Sequence, residues 1–481
     1  MDGGRRKEVH VLVFPFPGQG MVNCMLKLAD LLSGAGLLVT FLNTHHNHRH
    51  LSRFSGAHTR LAQRPKFRFA SIPDGLSEEE TRSVFNFFDL EESMRTRAAA
   101  SFRDLLIAYR DKDSGGWPPV TCVIADGLMP FAVDVSEEVG IPAIIFRTIS
   151  ACCVWAFLCV PKLLENGEIP FPEGADLDEP VRGVPGMESF LRRRDLPSFC
   201  RQARDHTDRE LQVVSSVTAS ANRARALILN TFESLEGSAL SHIRNNSPVT
   251  YAVGPLNALA RTSSDSGSLW QEDRDCMTWL DSQPDRSVVY VSFGSLAVVT
   301  REEFMEFWHG LVDSGQRFLW VVRSDLINRR GGGTEVLPAE VEEGTRERGC
   351  MVGWAPQEEV LSHPAVGCFL THSGWNSTLE SIAAGKPMLC WPFFADQQIN
   401  SRFVSAVWGI GLDMKDLCGR SIVEKMVREV MEGERSEELR RNAREMAEMA
   451  KKSVAEGGTS FNEFQSLIRL IMSLDSHAPA C

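Results

Sequence analysis

One rhythm constrains this chain more than any other feature, and it occurs twice. Short apolar runs rich in β-branched residues lie at Val9–Phe14, Leu37–Leu42, Thr121–Ala125, Ala143–Phe146 and Ala226–Leu229. Helical patterns at Leu26–Leu32, Met129–Val139 and Ala151–Leu164 separate them. Runs without polar alternate positions read as strands buried on both faces. The rhythm restarts after residue 285. Val288–Ser292, Phe318–Val322, Val366–Phe369 and Met388–Cys390 read as strands, and Glu302–Ser314, Ser377–Ala384 and Asp396–Trp408 as helices. Two such arrays predict an α/β protein of two Rossmann-like, doubly wound domains with helices on both faces of each parallel sheet. A length of 481 residues agrees, because it exceeds what one core usually supports.

Between the arrays lies Val253–Asp275, polar and without period, carrying "RTSSDSGS" at Arg261–Ser268. It reads as a linker. The expected layout is a first domain over residues 1–252, a linker over 253–275, a second domain over 276–460 and a final segment over 461–481 with an amphipathic helix. "SEEE" (Ser77–Glu80) and "RRGGGTE" (Arg329–Glu335) read as surface loops. Two linked α/β domains leave a cleft at the carboxyl ends of their strands, where open sheets bind ligands.

A net charge of −12 argues against nucleic acid or an anionic membrane as the main partner. No stretch reaches the roughly 18 apolar residues of a membrane helix, and the apolar run Val9–Phe14 is too short for a signal peptide. Twelve cysteines occur without CxxC spacing, which points to reduced thiols in the cytoplasm. Asp111/Asp113, Asp176/Asp178 and Asp273/Asp275 have the D-x-D spacing of some metal sites, but they sit in polar, loop-like segments and read as coincidence, so no metal is expected.

The richest stretch runs from Trp354 to Gln397. In it "FLTHSGWNSTLE" reads as strand, glycine turn and a helix opening near Ser377. Backbone N–H groups and the helix dipole at such a place favour a phosphate. His372 and Ser377 add side-chain donors, Trp354 offers a flat face for a base, Glu380 can accept from ribose hydroxyls, and Asp396-Gln397 can grip sugar hydroxyls. Structural readings compete: Ser377 and Glu380 have capping-box spacing, and His372 and Trp375 suit core packing.

This stretch, 44 residues long, resembles the donor-binding box of plant family-1 UDP-glycosyltransferases, with Trp354, Gln357, His372, Gly374, Trp375, Asn376, Ser377, Glu380, Asp396 and Gln397 at its marker positions. "HVLVFPFPGQG", "NTFESLE" (Asn230–Glu236) and "VYVSFGS" (Val289–Ser295) extend the likeness along the chain. The resemblance implies a GT-B fold with an N-terminal acceptor domain, a C-terminal donor domain and a last helix returning to the first. It implies that Trp354 stacks on uracil with the Ala355 backbone pairing to it, and that Gln357 and Glu380 hold ribose. His372, Asn376, Ser377 and Ser295 would bind diphosphate. Trp375, Asp396 and Gln397, helped by Thr148, would hold the sugar. Glutamine as the last residue of the box goes with glucose. The implied reaction is a metal-independent, inverting transfer from UDP-glucose as co-substrate, without other cofactor. The acceptor would be a small hydrophobic metabolite such as a terpenoid or phenolic, and the enzyme a cytoplasmic monomer.

One position departs from the pattern. Family members carry G-H-x-x-P after the first strand, and that histidine deprotonates the acceptor with help from an aspartate. Here the aspartate position holds Asp126, but the histidine position holds Met21 and the proline position Cys24. A general base supplies ~10²–10⁴ in rate, roughly 3–5.5 kcal/mol. Three readings follow. Asp126 is itself the base; or the acceptor is acidic and needs none; or the protein binds donor and acceptor with little turnover, an engineered replacement of the histidine being one form of this. The run His45, His46, His48, His50 reads as a polar helix start, Cys24 as packing, and Arg147 as either an acceptor partner or a structural ion pair.

Overall fold

The structure, a computed structural model, describes residues 8–77, 87–110, 116–247, 249–260, 267–326 and 339–474. It divides into two units. The first draws its described residues from Met1–Val160, Arg209–Trp270 and Ser453–Cys481, the second from Pro161–Asp208 and Gln271–Lys452. Residues 161–208 thus group with the second unit rather than with the rest of 1–252.

Among the described residues the first unit forms a parallel sheet of seven strands: β1 (His10–Phe14), β2 (Leu38–Thr44), β3 (Phe67–Ile72), β4 (Cys122–Asp126), β5 (Ala143–Arg147), β6 (Leu227–Leu229) and β7 (Thr250–Ala252), in the order β3-β2-β1-β4-β5-β6-β7. The second unit holds six: β8 (Val288–Ser292), β9 (Arg317–Val321), β10 (Gly349–Val352), β11 (Val366–Thr371), β12 (Met388–Cys390) and β13 (Gly411–Asp413), in the order β10-β9-β8-β11-β12-β13. These are again parallel. The strand order reverses between β1 and β4 in one sheet and between β8 and β11 in the other. Loops diverging from two such strands open a crevice at their carboxyl ends.

All nine expected strands are present. β3, β7, β10 and β13 were not expected, and each lies at a sheet edge. Helix ends also differ from expectation. The first helix begins at Gln19, and its buried face is Val22, Met25, Leu26, Ala29 and Leu32. The helix expected from Ser377 begins at Trp375, with Gly374 as its N-cap and no side chain capping it, so the capping-box reading of Ser377 and Glu380 fails. Gly385, in the left-handed region at φ 65°, ends it. The Asp396 helix runs from Gln397 to Arg402 and then widens into a π-turn over Phe403–Val407. The surface-loop assignments at Arg329–Glu335 and at 78–80 lie outside the described residues, as does 261–266 of the linker. No helix among the described residues is long and apolar enough to cross a membrane.

Two long-range features complete the first unit. The terminal helix Thr459–Ser473 lays Phe464, Leu467, Ile468 and Ile471 into the same core as β1, β2 and the first helix. Glu236, at a kink in the helix Glu233–Asn246, reaches the start of the helix Ala151–Glu165. There its carboxylate accepts from the N–H groups of Ala151 at 3.0 Å and Cys152 at 2.8 Å. Burial raises the Glu236 pKa, against the lowering effect of these donors. Glu236→Ala strips both N–H groups of their acceptor inside the protein, and a buried unsatisfied donor costs about 1–3 kcal/mol. The urea midpoint of the variant is expected to fall, followed by tryptophan fluorescence, with Glu236→Gln losing less because it keeps one acceptor oxygen.

Candidate functional site

In the second unit the β8–β11 reversal gathers most of the residues singled out above. Ser292 and Thr371 are paired at the ends of these strands, so the turns after them lie side by side. The turn after β8 carries Gly294 and Ser295, and that after β11 carries His372, Ser373 and Gly374. The His372 ring occupies space that only glycine leaves. A Cβ at Gly294 would stand 2.5 Å from ring Cε1 and Nε2, and one at Gly374 2.5 Å from Nε2. Gly294 is also left-handed, at φ 71°. Desolvation pulls the His372 pKa down to about 4, and the Arg323 charge adds to it. The imidazole is therefore neutral near pH 7 and offers a hydrogen bond rather than a charge.

Arg323 was not anticipated from sequence. It lies just past β9, only 5% exposed, and donates to the carbonyls of Gly294 and, at 2.9 Å, Ala297. It thereby braces the turn that holds Ser295 and puts a guanidinium near His372. Only its position after a buried strand, in "FLWVVR", could have drawn notice.

The helix starting at Trp375 points its uncapped end at the same place, where a helix leaves its first N–H groups without intrahelical partners. Ser377 and Glu380 join a small lattice on that helix. The Gln357 amide nitrogen donates to Ser377 Oγ at 2.9 Å and Glu380 Oε2 at 2.7 Å, while its oxygen accepts from Tyr290 at 3.1 Å. Tyr290, on β8 and 1% exposed, is a second residue the sequence reading missed. Trp354 is half-buried, and its carbonyl accepts from the Asp273 N–H at 2.9 Å; Ala355 beside it is buried.

Between His372 and Gly374, Ser373 is held in the left-handed region at φ 62°. Asn400 fixes it, donating to the Ser373 carbonyl at 2.9 Å and to Asp396 Oδ2 at 2.7 Å. Gln397 Oε1 accepts from the N–H groups of Phe393 at 2.7 Å and Phe394 at 2.8 Å, which settles the direction of its amide. Trp375 is buried, with its ring 6.3 Å from that of Trp408, and Asn376 is half-buried. Ser295, Trp354, Ala355, Gln357, His372, Gly374, Trp375, Asn376, Ser377, Glu380, Asp396 and Gln397 all belong to this unit.

Asp126 and Thr148 meet in the first unit. Asp126 ends β4 at the β1–β4 reversal and is 1% exposed. Oδ1 accepts from the Leu128 N–H at 2.8 Å and Oδ2 from Thr148 Oγ1 at 3.4 Å. Burial lifts its pKa to about 6, although the Leu128 bond, the Arg147 charge and Thr148 pull the other way. Alternation along a strand would send Arg147 and Thr148 to opposite faces. The strand ends at Arg147, however, and both side chains reach the Asp126 turn, Arg147 donating to the Gly127 carbonyl at 3.2 Å. Met21 is half-buried in the first turn of the helix Gln19–Gly34, its sulfur 3.1 Å from where a Cβ on Gly18 would stand. Cys24 Sγ accepts from Asn230 at 3.3 Å, and Asn230 in turn accepts from the Leu256 N–H at 2.9 Å, a packing role.

The remaining sequence candidates fall elsewhere. His45, His46, His48 and His50 open the helix His45–Phe54, capped by Thr44. Asp178 pairs with Arg192 and Arg194, and Asp273 accepts from the Asp275 N–H. Asp111 and Asp113 lie outside the described residues. Among the described residues, no three His, Cys, Asp or Glu side chains converge as a metal site needs.

Two Rossmann-like units, one carrying a helix end and polar lattice at its strand-order reversal, define the GT-B class of glycosyltransferase. Comparison with known proteins agrees. The family described as UDP-glucoronosyl and UDP-glucosyl transferase matches residues 257–451. A 7-deoxyloganetic acid glucosyltransferase of Catharanthus roseus is 51% identical over 97% of this chain and 98% of its own. A myricetin 3-O-rhamnoside 1,2-glucosyltransferase of Crocosmia x crocosmiiflora is 52% identical over 98% and 97%. The crystal structure of Os79 from O. sativa in complex with UDP superposes with a TM-score of 0.81 at 28% identity, covering 96% of this chain and all of that one. The chain belongs to the plant UDP-glycosyltransferase family.

Arg323→Met removes both the brace on the Ser295 turn and the charge beside His372. UDP affinity by calorimetry is expected to fall by about tenfold or more, the loss of roughly one charge-assisted contact. The His372 pKa followed by NMR is expected to rise.

Proposed function

We propose that the protein is an inverting, metal-independent glucosyltransferase that moves glucose from UDP-glucose to a small, largely apolar specialised metabolite, a terpenoid or phenolic. Residues within 1–252 would hold the acceptor and those within 276–460 the donor, in a cytoplasmic monomer. The carrying observation is the polar lattice on the Trp375 helix, where Gln357, Ser377 and Glu380 are already locked together beside an uncapped helix end. Relatives named for iridoid and flavonoid acceptors support the substrate class. Free thiols at every described cysteine support the compartment.

In this reading Trp354 stacks on uracil, with the Ala355 backbone pairing to it. Gln357 and Glu380 take the ribose. Ser295, His372, Gly374, Asn376 and Ser377 receive the diphosphate. Trp375, Asp396 and Gln397 hold the glucose. The acceptor oxygen attacks the anomeric carbon as the bond to UDP breaks. The leaving diphosphate is met by N–H groups and a neutral imidazole set in place before the reaction, so little reorganisation is needed.

Met21 stands where the family's histidine would be and cannot move a proton, so the base is Asp126. An ordinary carboxylate is too acidic to deprotonate an alcohol well, but a pKa of about 6 lies close to the working pH, where a general base is most effective.

The pH sign is definite. Asp126 works as its anion, so kcat/KM with an alcohol acceptor is expected to climb up to about pH 6 and then level. Asp126→Asn should lose ~10²–10⁴ in rate with unchanged UDP affinity. Its stability should not suffer at pH 7. A folded pKa of about 6 against the ordinary 3.8 means that ionisation costs the native state roughly 3 kcal/mol there, a cost that fades as the pH falls toward 4. Met21→His is expected to change turnover of alcohols by less than about tenfold. A far larger gain would show that wild type lacks a working base. A panel of alcohol, phenol and carboxylic acid acceptors with UDP-glucose tests the function itself, and failure to bind UDP would end it.

A further inference from the structure

We propose that a buried ionic cluster centred on Asp195 and Lys415 is the positioning device for the donor sugar, acting through the helix that carries Asp396 and Gln397. The inference rests on the donor reading above. Asp195 comes from residues 161–208, the part of the first half of the chain that packs into the second unit. It ends a short 3-10 turn, Arg193–Asp195, and is fully buried. Its Oδ1 lies 2.9 Å from Lys415 Nζ. Its Oδ2 accepts from Arg192 Nε at 3.0 Å and the Arg192 N–H at 2.9 Å, with Arg402 Nε at 3.4 Å. Burial alone would raise the carboxyl's pKa, but Lys415 and Arg192 hold it below the usual carboxylate range.

Lys415 sits in the left-handed region at φ 50°, unusual outside glycine, with its N–H held by Asp413 Oδ1 at 3.0 Å. That conformation aims its ammonium inward. Besides Asp195, Nζ contacts Asp413 at 3.1 Å and donates at 2.8 Å to both the Gln398 carbonyl and Ser401 Oγ. Arg402 donates to the Phe190 carbonyl at 2.8 Å. The Gln398 amide, turned so that both ends are satisfied, bonds Arg201 at 3.2 Å and the Ala395 carbonyl at 3.0 Å.

The cluster meets the helix at Gln398, Ser401 and Arg402, spaced three and four apart. Gln397 directly precedes Gln398 and lies one turn before Ser401, with Asp396 at the start of the helix. The helix is therefore gripped by residues 190–201 and Lys415 immediately beside the pair assigned to the sugar. Single charges removed from such a cluster leave an uncompensated partner. A displacement of about 1 Å at a positioning group can cost about a hundredfold in rate. The diphosphate end is anchored separately, by Gly294, His372 and Arg323, so the cluster should act on the sugar and not on UDP.

The test compares Asp195→Asn, Lys415→Met and the double variant in the full chain. It measures UDP affinity by calorimetry, kcat and KM for UDP-glucose, and the rate ratio of UDP-glucose to UDP-galactose. Expected are a UDP Kd within about twofold of wild type, a fall of about 10–100-fold in kcat/KM for UDP-glucose, and a reduced preference for glucose. Arg402→Gln cuts the link to Phe190 at a partly exposed side chain and gives the same readout should the buried variants fail to fold. Equal loss of UDP affinity, or an unchanged sugar preference in a folded variant, overturns the proposal. Wild-type protein that does not bind UDP overturns the donor reading instead, so the two failures are distinct.

Discussion

Parallel pairing of β8 with β11 is the constraint from which the second unit's site follows. It sets the turns Gly294–Ser295 and His372–Gly374 side by side, close enough that the imidazole fits only against glycine on both sides. Once the ring is wedged there it loses water and is held neutral, and the Arg323 guanidinium reinforces that state. The helix from Trp375 then starts without a side-chain cap because the chain arrives through Ser373 in a left-handed conformation, pinned by Asn400. Strand order, glycine placement and helix direction thus give one outcome, an end rich in donors.

The first unit applies the same architecture to a different task. Its reversal lies between β1 and β4, so the turn of Met21 and the end of β4 at Asp126 leave from neighbouring strands. Deep burial makes Asp126 a stronger base than an exposed aspartate, and its bonds to Leu128 and Thr148 keep it from being neutral at every accessible pH. In the proposed reading a methionine at position 21 is then less disabling than the sequence alone suggests, because the carboxylate's surroundings, not its identity, set its proton affinity.

Much of this was legible in the sequence, for identifiable reasons. Central strands are buried on two faces and print as unbroken apolar runs; β3, β7, β10 and β13 lie at sheet edges, are short or half-exposed, and leave no such print. The residues proposed to hold the donor stood out because most of them crowd into Trp354–Gln397. Ser377 and Glu380 left two readings open, because an S-x-x-E pattern also fits a capping box, and only the helix start at Trp375 with Gly374 as N-cap removes that one. Tyr290, on β8, and Arg323, just past β9, escaped notice because each acts through contacts that no local pattern encodes. Asp195 belongs to the same class, since its partner Lys415 is far along the chain.

The terminal helix Thr459–Ser473 has a consequence for how the molecule is made. Phe464, Leu467, Ile468 and Ile471 belong to the core around β1 and β2, so the unit begun first during synthesis is the one sealed last. The second unit has its described pieces once Lys452 has emerged, whereas the first lacks part of its core until Thr459–Ser473 follows. Removing that helix would therefore injure the unit that holds β1 and β2.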